Sequence, residues 1–295
     1  MAMASFFATY PIALLGFALA LGLIVGSFLN VVIYRLPVMM QREWTEQCHD
    51  FLEIKADESN KNGPEKFSNF NLAQPGSHCP NCQHQITAIE NIPVLSYLIQ
   101  AGKCKNCKTP ISRRYPIIES ACGILTVLVA YQFGFTGLSL AALVLTWSLL
   151  VLTMIDYDHQ LLPDDITLPI LWLGLIINYF GLITTLETAV LGAIAGYMIL
   201  WLIYWLFKLL TGKEGMGHGD FKLLAALGAW MGWQALPQII LLSSLIGALI
   251  GIALIMLKGR DKNIPIPFGP YLAGAGFVSL LWSDELNQLY SAIFL

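Results

Sequence analysis

Long apolar stretches constrain what this chain can fold into more than any other feature of its sequence. A helix needs about 20 apolar residues to cross roughly 30 Å of hydrocarbon, and several stretches approach that length. They cover residues 11–34, 117–135, 137–155, 166–183, 189–210, 236–257 and 266–282. These stretches are apolar throughout and lack the alternation that is typical of a membrane β-strand. A shorter stretch, 221–233, is the eighth candidate for a membrane helix.

The scarcity of charge agrees with a membrane location. Charged residues make up 12% of the chain, against about 25% in a typical soluble domain, which excludes a soluble globular enzyme. The formal net charge of −3 gives no overall attraction to nucleic acid. We therefore predict an all-α polytopic membrane protein with about eight transmembrane helices. We expect it to contact lipid, to bind no nucleic acid and to be a monomer, because eight helices can pack as a self-sufficient unit.

The basic residues predict the orientation of these helices. All 16 Lys and Arg residues lie within 34–116, 208–222 and 258–262, which eight spans would place on one side of the membrane. Because Lys and Arg favour the cytoplasmic side, the large loop is expected in the cytoplasm and both termini outside. Residues 1–30 lack a basic start and a clear cleavage site, so we expect the first helix to be retained.

The same pattern divides the chain into three predicted parts. A first transmembrane helix covers residues 1–34, a cytoplasmic domain covers 35–116, and a membrane core covers 117–295. The hydrophilic block at 34–116 holds 18 of the 35 acidic and basic residues, which sets it apart from the rest of the sequence.

Two Cys-x-x-Cys pairs lie in the hydrophilic block. Their members are Cys79, Cys82, Cys104 and Cys107. Two such pairs about 20 residues apart are typical of tetrahedral zinc binding, and a reducing cytosol argues against disulfides. His78 and His84 are alternative ligands. Four thiolates would leave no open coordination position, so we predict a structural zinc ion.

Acidic residues cluster at the ends of two apolar stretches. The first cluster contains Asp156, Asp158, Asp164 and Asp165. The second is Asp220, which follows Gly217 and Gly219. Ionisable groups beside membrane helices are costly and therefore candidates for function. Two neighbouring carboxyl groups share one proton, which is the arrangement of an aspartyl protease. Spacing alone does not decide whether Asp156 or Asp158 is the partner of Asp220.

Other interpretations of these residues stay open at this point. Asp164 and Asp165 precede an apolar stretch, where acids also stabilise a helix N-terminus. Glu119 is expected to be held by Arg113 or Arg114 as a membrane anchor. Gly217 and Gly219 carry no side chain, so the backbone there could approach an extended peptide closely.

Taken in order, the motifs resemble those of bifunctional prepilin peptidases, and the resemblance covers nearly the whole chain. They are Gly26-Ser27-Phe28-Leu29-Asn30-Val31-Val32 with Arg35-Leu36-Pro37, the two cysteine pairs, Glu90-Asn91-Ile92-Pro93, Ser112-Arg113-Arg114-Tyr115-Pro116 with Glu119, the stretch 156–164, Gly217-His218-Gly219-Asp220-Phe221-Lys222 and Pro267-Phe268-Gly269-Pro270-Tyr271. The glycine–aspartate element is also similar to that of presenilin-like intramembrane aspartyl proteases.

The resemblance implies an activity and assigns roles. By this resemblance, Asp156 and Asp220 are expected to be the catalytic pair. The expected substrates are prepilins and pseudopilins, cut after a Gly at the cytoplasmic face of the bacterial inner membrane. The new N-terminal residue, usually Phe, is then methylated from S-adenosylmethionine. The four cysteines mark the zinc-bearing branch of the family, and the termini are expected in the periplasm.

Two further expectations concern substrate and cofactor contacts. Asp158, Asp164 and Asp165 are expected to attract the basic leader, with Gly217 and Gly219 beside the peptide. Gly102 is expected to allow close approach of S-adenosylmethionine. The chain contains no nucleotide-binding glycine motif, so methylation depends on the resemblance alone. The alternative functions are an ion- or metal-coupled transporter with a zinc-binding loop, and a structural subunit of an envelope assembly.

Overall fold

The computed structural model describes residues 2–52, 70–258 and 267–283, together with positions 285, 286, 288 and 292. Ten α-helices account for most of these residues. They are α1 (Ala2–Thr9), α2 (Pro11–Phe51), α3 (Leu95–Ile99), α4 (Arg114–Phe133), α5 (Gly137–His159), α6 (Asp164–Tyr179), α7 (Leu186–Thr211), α8 (His218–Met231), α9 (Leu236–Lys258) and α10 (Gly269–Leu281). Short 3-10 helices cover Ile89–Asn91 and Trp233–Ala235.

Five helical segments in the described ranges are long and apolar enough to cross a membrane. They are Pro11–Phe51, Arg114–Phe133, Gly137–His159, Leu186–Thr211 and Trp233–Leu254. Helices α6, α8 and α10 have 16, 14 and 13 residues, so at about 1.5 Å per residue they reach only some 20–24 Å. The prediction of a multi-helix membrane protein is confirmed, whereas the number of eight spans stays a prediction.

One boundary differs from the sequence prediction. Helix α2 does not end near residue 34 but continues to Phe51, giving a helix of 41 residues with Pro37 inside it. Half of the residues from 38 to 51 are Met, Gln, Glu or Arg, which favour helix. This extension is polar, so the length of the apolar stretch did not indicate it.

The chain forms two compact units. The first comprises Met1–Leu14 and Leu128–Leu295, and the second comprises Leu15–Val127. The three-part division drawn from the sequence stays a prediction.

In the first unit, α8 is the central helix. Every residue from Asp220 to Trp230 except Lys222 is buried, and α6, α7 and α10 pack around it. A helix that is apolar on nearly all sides must be surrounded by other helices. Two glycines allow close packing of α7 on α8: a Cβ at Gly192 would overlap the Gly228 carbonyl, and a Cβ at Gly196 would lie 2.7 Å from the Leu224 carbonyl oxygen.

Hydrogen bonds fix the far end of α8. The Asn178 amide group at the end of α6 donates to the carbonyls of Ala229 and Trp230, both at 2.8 Å. The Asn178 side-chain oxygen accepts from the backbone N–H groups of Ile183 and Thr184 at 3.2 and 3.0 Å. These bonds set the position of α8 along its axis, and therefore the position of Asp220 in its first turn.

In the second unit, polar groups join helix ends to loops. Arg35 is buried and donates to the carbonyls of Asn71 and Pro75. Glu119, which we expected to be held by Arg113 or Arg114, accepts a hydrogen bond from the Val94 backbone N–H at 2.7 Å. Val94 has a φ of 59°, an unfavourable value for a β-branched residue, and the carboxylate helps to hold that conformation.

Replacing Gly192 with Ala should destabilise the first unit. The new methyl group would collide with the Gly228 carbonyl, and overpacking of this kind costs about 1–3 kcal/mol of unfolding free energy. Thermal unfolding in detergent would measure the change. Gly137→Ala is the matched control, because a Cβ at Gly137 meets nothing within 4 Å. Equal stability of the two variants would contradict the proposed helix contact.

Candidate active site and metal centre

Asp156 lies in the last turn of α5 and points into the protein. It is 6% exposed, whereas Tyr157, Asp158 and His159 are exposed. Gln160 ends the helix with a φ of 53°, and its backbone N–H donates to the Asp156 carbonyl at 2.9 Å. Of the two aspartates that spacing could not separate, only Asp156 is therefore buried.

Asp220 lies in the first turn of α8 and is equally buried, at 6% exposure. Its backbone N–H donates to the Gly217 carbonyl at 3.3 Å. Its side-chain oxygen Oδ1 is buried and has no hydrogen-bond partner among the described residues. Leu162 packs on Gly219, the residue before Asp220, and on Gly269, whose backbone N–H donates to Asp156. The ends of α5 and α8 therefore bring the two acids into one site.

The two glycines before Asp220 have different surroundings. Gly219 packs on Leu162, whose Cβ would lie 2.7 Å from a Cβ at position 219. Gly217 is exposed, and a Cβ there would meet only Asp220 Oδ2, at 3.8 Å. The absence of a side chain thus serves helix packing at Gly219 and leaves the backbone open at Gly217. A peptide contact at either glycine stays a prediction.

Gly269 at the start of α10 is part of the site, although its residue type gave no reason to expect it there. Its backbone N–H donates to Asp156 Oδ2 at 2.9 Å, in a buried position. In the sequence, Gly269 stands out only as part of a motif carried by the resemblance. The two residues are 113 positions apart. The donor is a backbone N–H group, so the type of side chain at position 269 does not indicate the contact.

One of the acids predicted to bind the leader is paired with a lysine in the fold. Lys222 on α8 places its Nζ 2.7 Å from both carboxylate oxygens of Asp164. Asp164 and Asp165 are the first residues of α6, where they also stabilise the helix N-terminus. Asp158 and Asp165 are exposed. The acidic surplus at this end of the unit is therefore smaller than the sequence suggests.

His218 is held by aromatic rings beside Asp220. Its ring centroid lies 5.3 Å from that of Tyr204 and 5.2 Å from that of Phe221. Lys208 on α7 contacts Glu214 at 2.8 Å and the Tyr204 hydroxyl at 3.2 Å. These contacts fasten the loop that leads into α8.

In the second unit, the four predicted cysteines come together. Their sulfur atoms all lie within 4.8 Å of one another. The Cys79–Cys107 and Cys82–Cys104 sulfur pairs are 3.7 and 3.9 Å apart. Four ligands at about 2.3 Å around a tetrahedral zinc ion would be separated by roughly 3.8 Å. The donor set and its spacing therefore fit a zinc ion.

Each cysteine pair forms the same small turn. The backbone N–H of Cys79 donates to His84, and that of Cys104 donates to Thr109, both at 2.9 Å. Hydrogen bonds from Thr109 lower the pKa of the Cys107 thiol to about 5, which favours the thiolate that a metal requires.

The alternative histidine ligands have other partners. His84 Nε2 lies 3.2 Å from Glu90, and His78 Nδ1 lies 3.0 Å from the Gly76 carbonyl oxygen. Hydrogen bonds from Thr87, and then from Lys105 and His84, lower the pKa of Glu90 to about 2. Among the described residues, the four cysteines are the group that could hold a metal ion.

Gly102, the predicted cofactor contact, has a local structural reason to be glycine. It is buried with a φ of +68°, and a Cβ there would lie 2.8 Å from the Tyr97 hydroxyl. Tyr97 therefore fills the space beside Gly102. A role in binding S-adenosylmethionine stays a prediction.

Helices long and apolar enough to cross a membrane, two buried aspartates and a four-cysteine cluster that could hold a metal together indicate a multi-pass membrane protein with an acidic site. Two family models match the chain: the bacterial peptidase A24 N-terminal domain over residues 20–133, and the type IV leader peptidase family over residues 143–252. The chain belongs to the type IV leader peptidase family.

Similar proteins match over nearly their whole length. A prepilin leader peptidase/N-methyltransferase from Stutzerimonas stutzeri is 57% identical over 285 residues, covering 97% of this chain and 96% of that protein. Proteins of the same name are 51% identical in Pseudomonas aeruginosa, covering 98% of each chain, and 54% identical in Aeromonas hydrophila, covering 92% of each. No solved structure matches the chain significantly.

Purified protein should carry one zinc ion, and Cys104→Ser should remove most of it. The substitution leaves three thiolates, which hold zinc less tightly and destabilise the module, because metal binding contributes to folding. Elemental analysis after dialysis would measure the zinc content. Cys48→Ser is the control, since Cys48 is an exposed thiol outside the cluster. Equal zinc contents in both variants would contradict the assignment.

Proposed function

We propose that this protein cleaves the basic leader from type IV prepilins and type II secretion pseudopilins, and then methylates the new N-terminus. Cleavage follows a Gly and precedes an apolar helix that usually begins with Phe, at the cytoplasmic face of the bacterial inner membrane. Asp156 and Asp220 are the catalytic pair, and S-adenosylmethionine is the methyl donor. The names of relatives that are 51–57% identical support both activities.

One observation carries the proteolytic half of the proposal: two aspartates of the same unit are buried while their acidic neighbours are exposed. Their helices end where polar chain begins, so an extended peptide could reach them without entering the apolar interior. A proton-carrying transporter would instead favour acids near the middle of its helices.

The two carboxyl groups divide the chemistry of peptide hydrolysis. An ionised carboxylate takes a proton from water, and the water oxygen attacks the scissile carbonyl carbon. The protonated carboxyl group donates its hydrogen to the carbonyl oxygen, which becomes a hydroxyl in the tetrahedral intermediate. The peptide C–N bond then breaks, and the proton taken from water goes to the leaving amine. As the carboxylic acid product forms, one hydroxyl of the intermediate returns its proton to the carboxylate that had donated it, so both carboxyl groups end in their starting states.

The exposed acids favour a basic leader. Asp165 is exposed in the first turn of α6, which begins shortly after the end of α5 that carries Asp156. We propose that it and Asp158 attract leader Lys or Arg residues. Asp164 contributes less because Lys222 neutralises it.

The methylation half of the proposal is supported by the names of the relatives. S-adenosylmethionine supplies a methyl group to the new α-amino group, which must have lost its proton to act as a nucleophile. A charged donor needs a solvated pocket, so we propose a site formed by the domain at 35–116. Gly102 lies in this domain, and its predicted contact with the cofactor is part of this proposal.

We propose a structural role for the zinc ion. Cys79, Cys82, Cys104 and Cys107 would hold it, and it would supply the cross-link between the two cysteine turns. A shell of four thiolates leaves no coordination position for a substrate, so no step of either reaction is assigned to the metal.

Asp156→Asn and Asp220→Asn should each slow leader cleavage severely. Removing a general acid or base typically costs about 10²–10⁴-fold in rate. A peptide with a basic leader and a Gly–Phe junction would be incubated with purified enzyme and S-adenosylmethionine in detergent. Mass spectrometry would then report the cut, and a gain of about 14 daltons would report transfer of a methyl group.

The matched control is Glu187→Gln, which also removes a carboxylate charge but lies exposed in the first turn of α7. It should cleave at the wild-type rate. Full activity in either aspartate variant would refute the catalytic pair. Cleavage by wild type without methylation would refute the second half of the proposal alone.

Asp165→Lys should raise KM for a basic leader by roughly two- to tenfold, the effect of reversing one exposed charge. Salt should reduce the difference, because exposed charges are screened. Kinetics with a leader whose basic residues are replaced by Gln provide the control, and KM should then be equal in both enzymes. A wild-type KM with the basic leader would contradict the contact.

A further inference from the structure

We propose that the backbone amide of Gly269 assigns the roles within the aspartate pair: Asp156 is the ionised general base, and Asp220 carries the proton as general acid. This inference rests on the proposed function and deepens it. Gly269 is then a positioning residue, which acts on the reaction through Asp156.

The surroundings of Asp156 favour its ionised form. Its Oδ2 accepts a buried hydrogen bond from Gly269 N–H at 2.9 Å. A backbone donor stabilises a carboxylate more strongly than a neutral carboxyl group. Gly269 is the first residue of α10, and the N–H groups in the first turn of a helix have no partner within the helix. Asp156 therefore lies at the positive end of α10.

The surroundings of Asp220 favour its protonated form. Its Oδ1 is buried and accepts no hydrogen bond from the described residues. A buried charge without a donor is costly, and an ionised Asp156 in the same site disfavours a second negative charge. The first turn of α8 favours an anion, but none of its N–H groups reaches Oδ1. A proton on Asp220 would be available for a substrate carbonyl.

Position 269 has no room for a side chain. A Cβ there would lie 2.6 Å from Asp156 Oδ2 and 3.2 Å from Leu162 Cδ2. Leu162 is itself buried and packs on Gly219, so it limits movement on that side. The Asp156 carboxylate would have to shift away from the amide. Gly269 does not lie in the left-handed region of φ, so space requires the glycine.

Other titratable or charged groups lie on the same helix ends. They are Tyr157, Asp158 and His159 on α5, Asp164 and Asp165 on α6, His218 and Lys222 on α8, and Tyr271 on α10. Lys222 is paired with Asp164, and Asp158, His159 and Asp165 are exposed. Asp156 and Asp220 are therefore the buried acids at these helix ends, and of the two only Asp156 is shown to accept a hydrogen bond from the Gly269 amide.

The first test reads protonation directly and needs no cleavage. Infrared titration would follow the protonated carboxyl band of Asp156 in the Asp220→Asn protein, and that of Asp220 in the Asp156→Asn protein. Adding Gly269→Ala should raise the Asp156 midpoint by about one pH unit, because a lost hydrogen bond to a charged group is of that size. It should leave the Asp220 midpoint unchanged.

The second test uses the complete enzyme. Gly269→Ala should lower kcat about 10–100-fold, the usual effect of a misplaced catalytic group, with little change in KM. The acid limb of the pH–rate profile should move to higher pH. Gly274→Ala, also on α10, is the control, since a Cβ at Gly274 meets nothing within 4 Å. Its kcat and pH profile should match those of wild type.

Each outcome separates the inference from the proposed function. If wild type cleaves the substrate and Gly269→Ala has the same kcat and pH profile as Gly274→Ala, the proposed role of Gly269 is refuted and the proposed protease function is not. An unchanged Asp156 midpoint, or an equal shift in both aspartates, would overturn it without any activity measurement. Absence of cleavage by folded wild type would refute the proposed function, while the infrared shift would still decide the role of the amide. If Gly269→Ala does not fold, Gly269→Ala combined with Leu162→Ala relieves the second contact and serves in both tests.

Discussion

The position of α8 depends on backbone-to-backbone packing, and the acidic site depends on α8. Helix α7 approaches α8 so closely that Gly192 and Gly228 face each other without room for a methyl group. Helices α6 and α10 cover the remaining surface, so an apolar segment of 14 residues is buried although it is shorter than a usual membrane span. As a consequence, Asp220 in the first turn of α8 is buried in the same apolar surroundings as the rest of the helix.

The sequence predicted those features that depend on composition or on short spacing. Apolar runs indicated the long helices, and the two Cys-x-x-Cys pairs indicated a thiolate cluster, which the sulfur distances confirm as a group able to hold a metal. Membership of the family is also confirmed. The resemblance preferred Asp156 over Asp158, and burial of Asp156 agrees with that preference, although catalysis by either residue stays a prediction.

The features that the sequence did not predict arise from contacts between distant residues. Gly269 reaches Asp156 through its backbone, and Lys222 reaches Asp164 across 58 positions. Neither contact leaves a local pattern. The extension of α2 to Phe51 was not predicted for a different reason. The residues beyond the apolar stretch are mainly polar, so hydropathy does not show that the helix continues through them. Propensity rather than periodicity carries that information.

Asn178 illustrates how narrowly one side chain can be specified. Its two N–H bonds go to the Ala229 and Trp230 carbonyls, and its oxygen accepts from two backbone N–H groups after α6. Aspartate has the same length but no donor, and leucine has neither donor nor acceptor. Glutamine has the right groups on a longer stem, which the buried position cannot accommodate without displacement. Of these four side chains, asparagine alone satisfies all four partners without a shift of the surrounding backbone, so substitution at this position should be poorly tolerated.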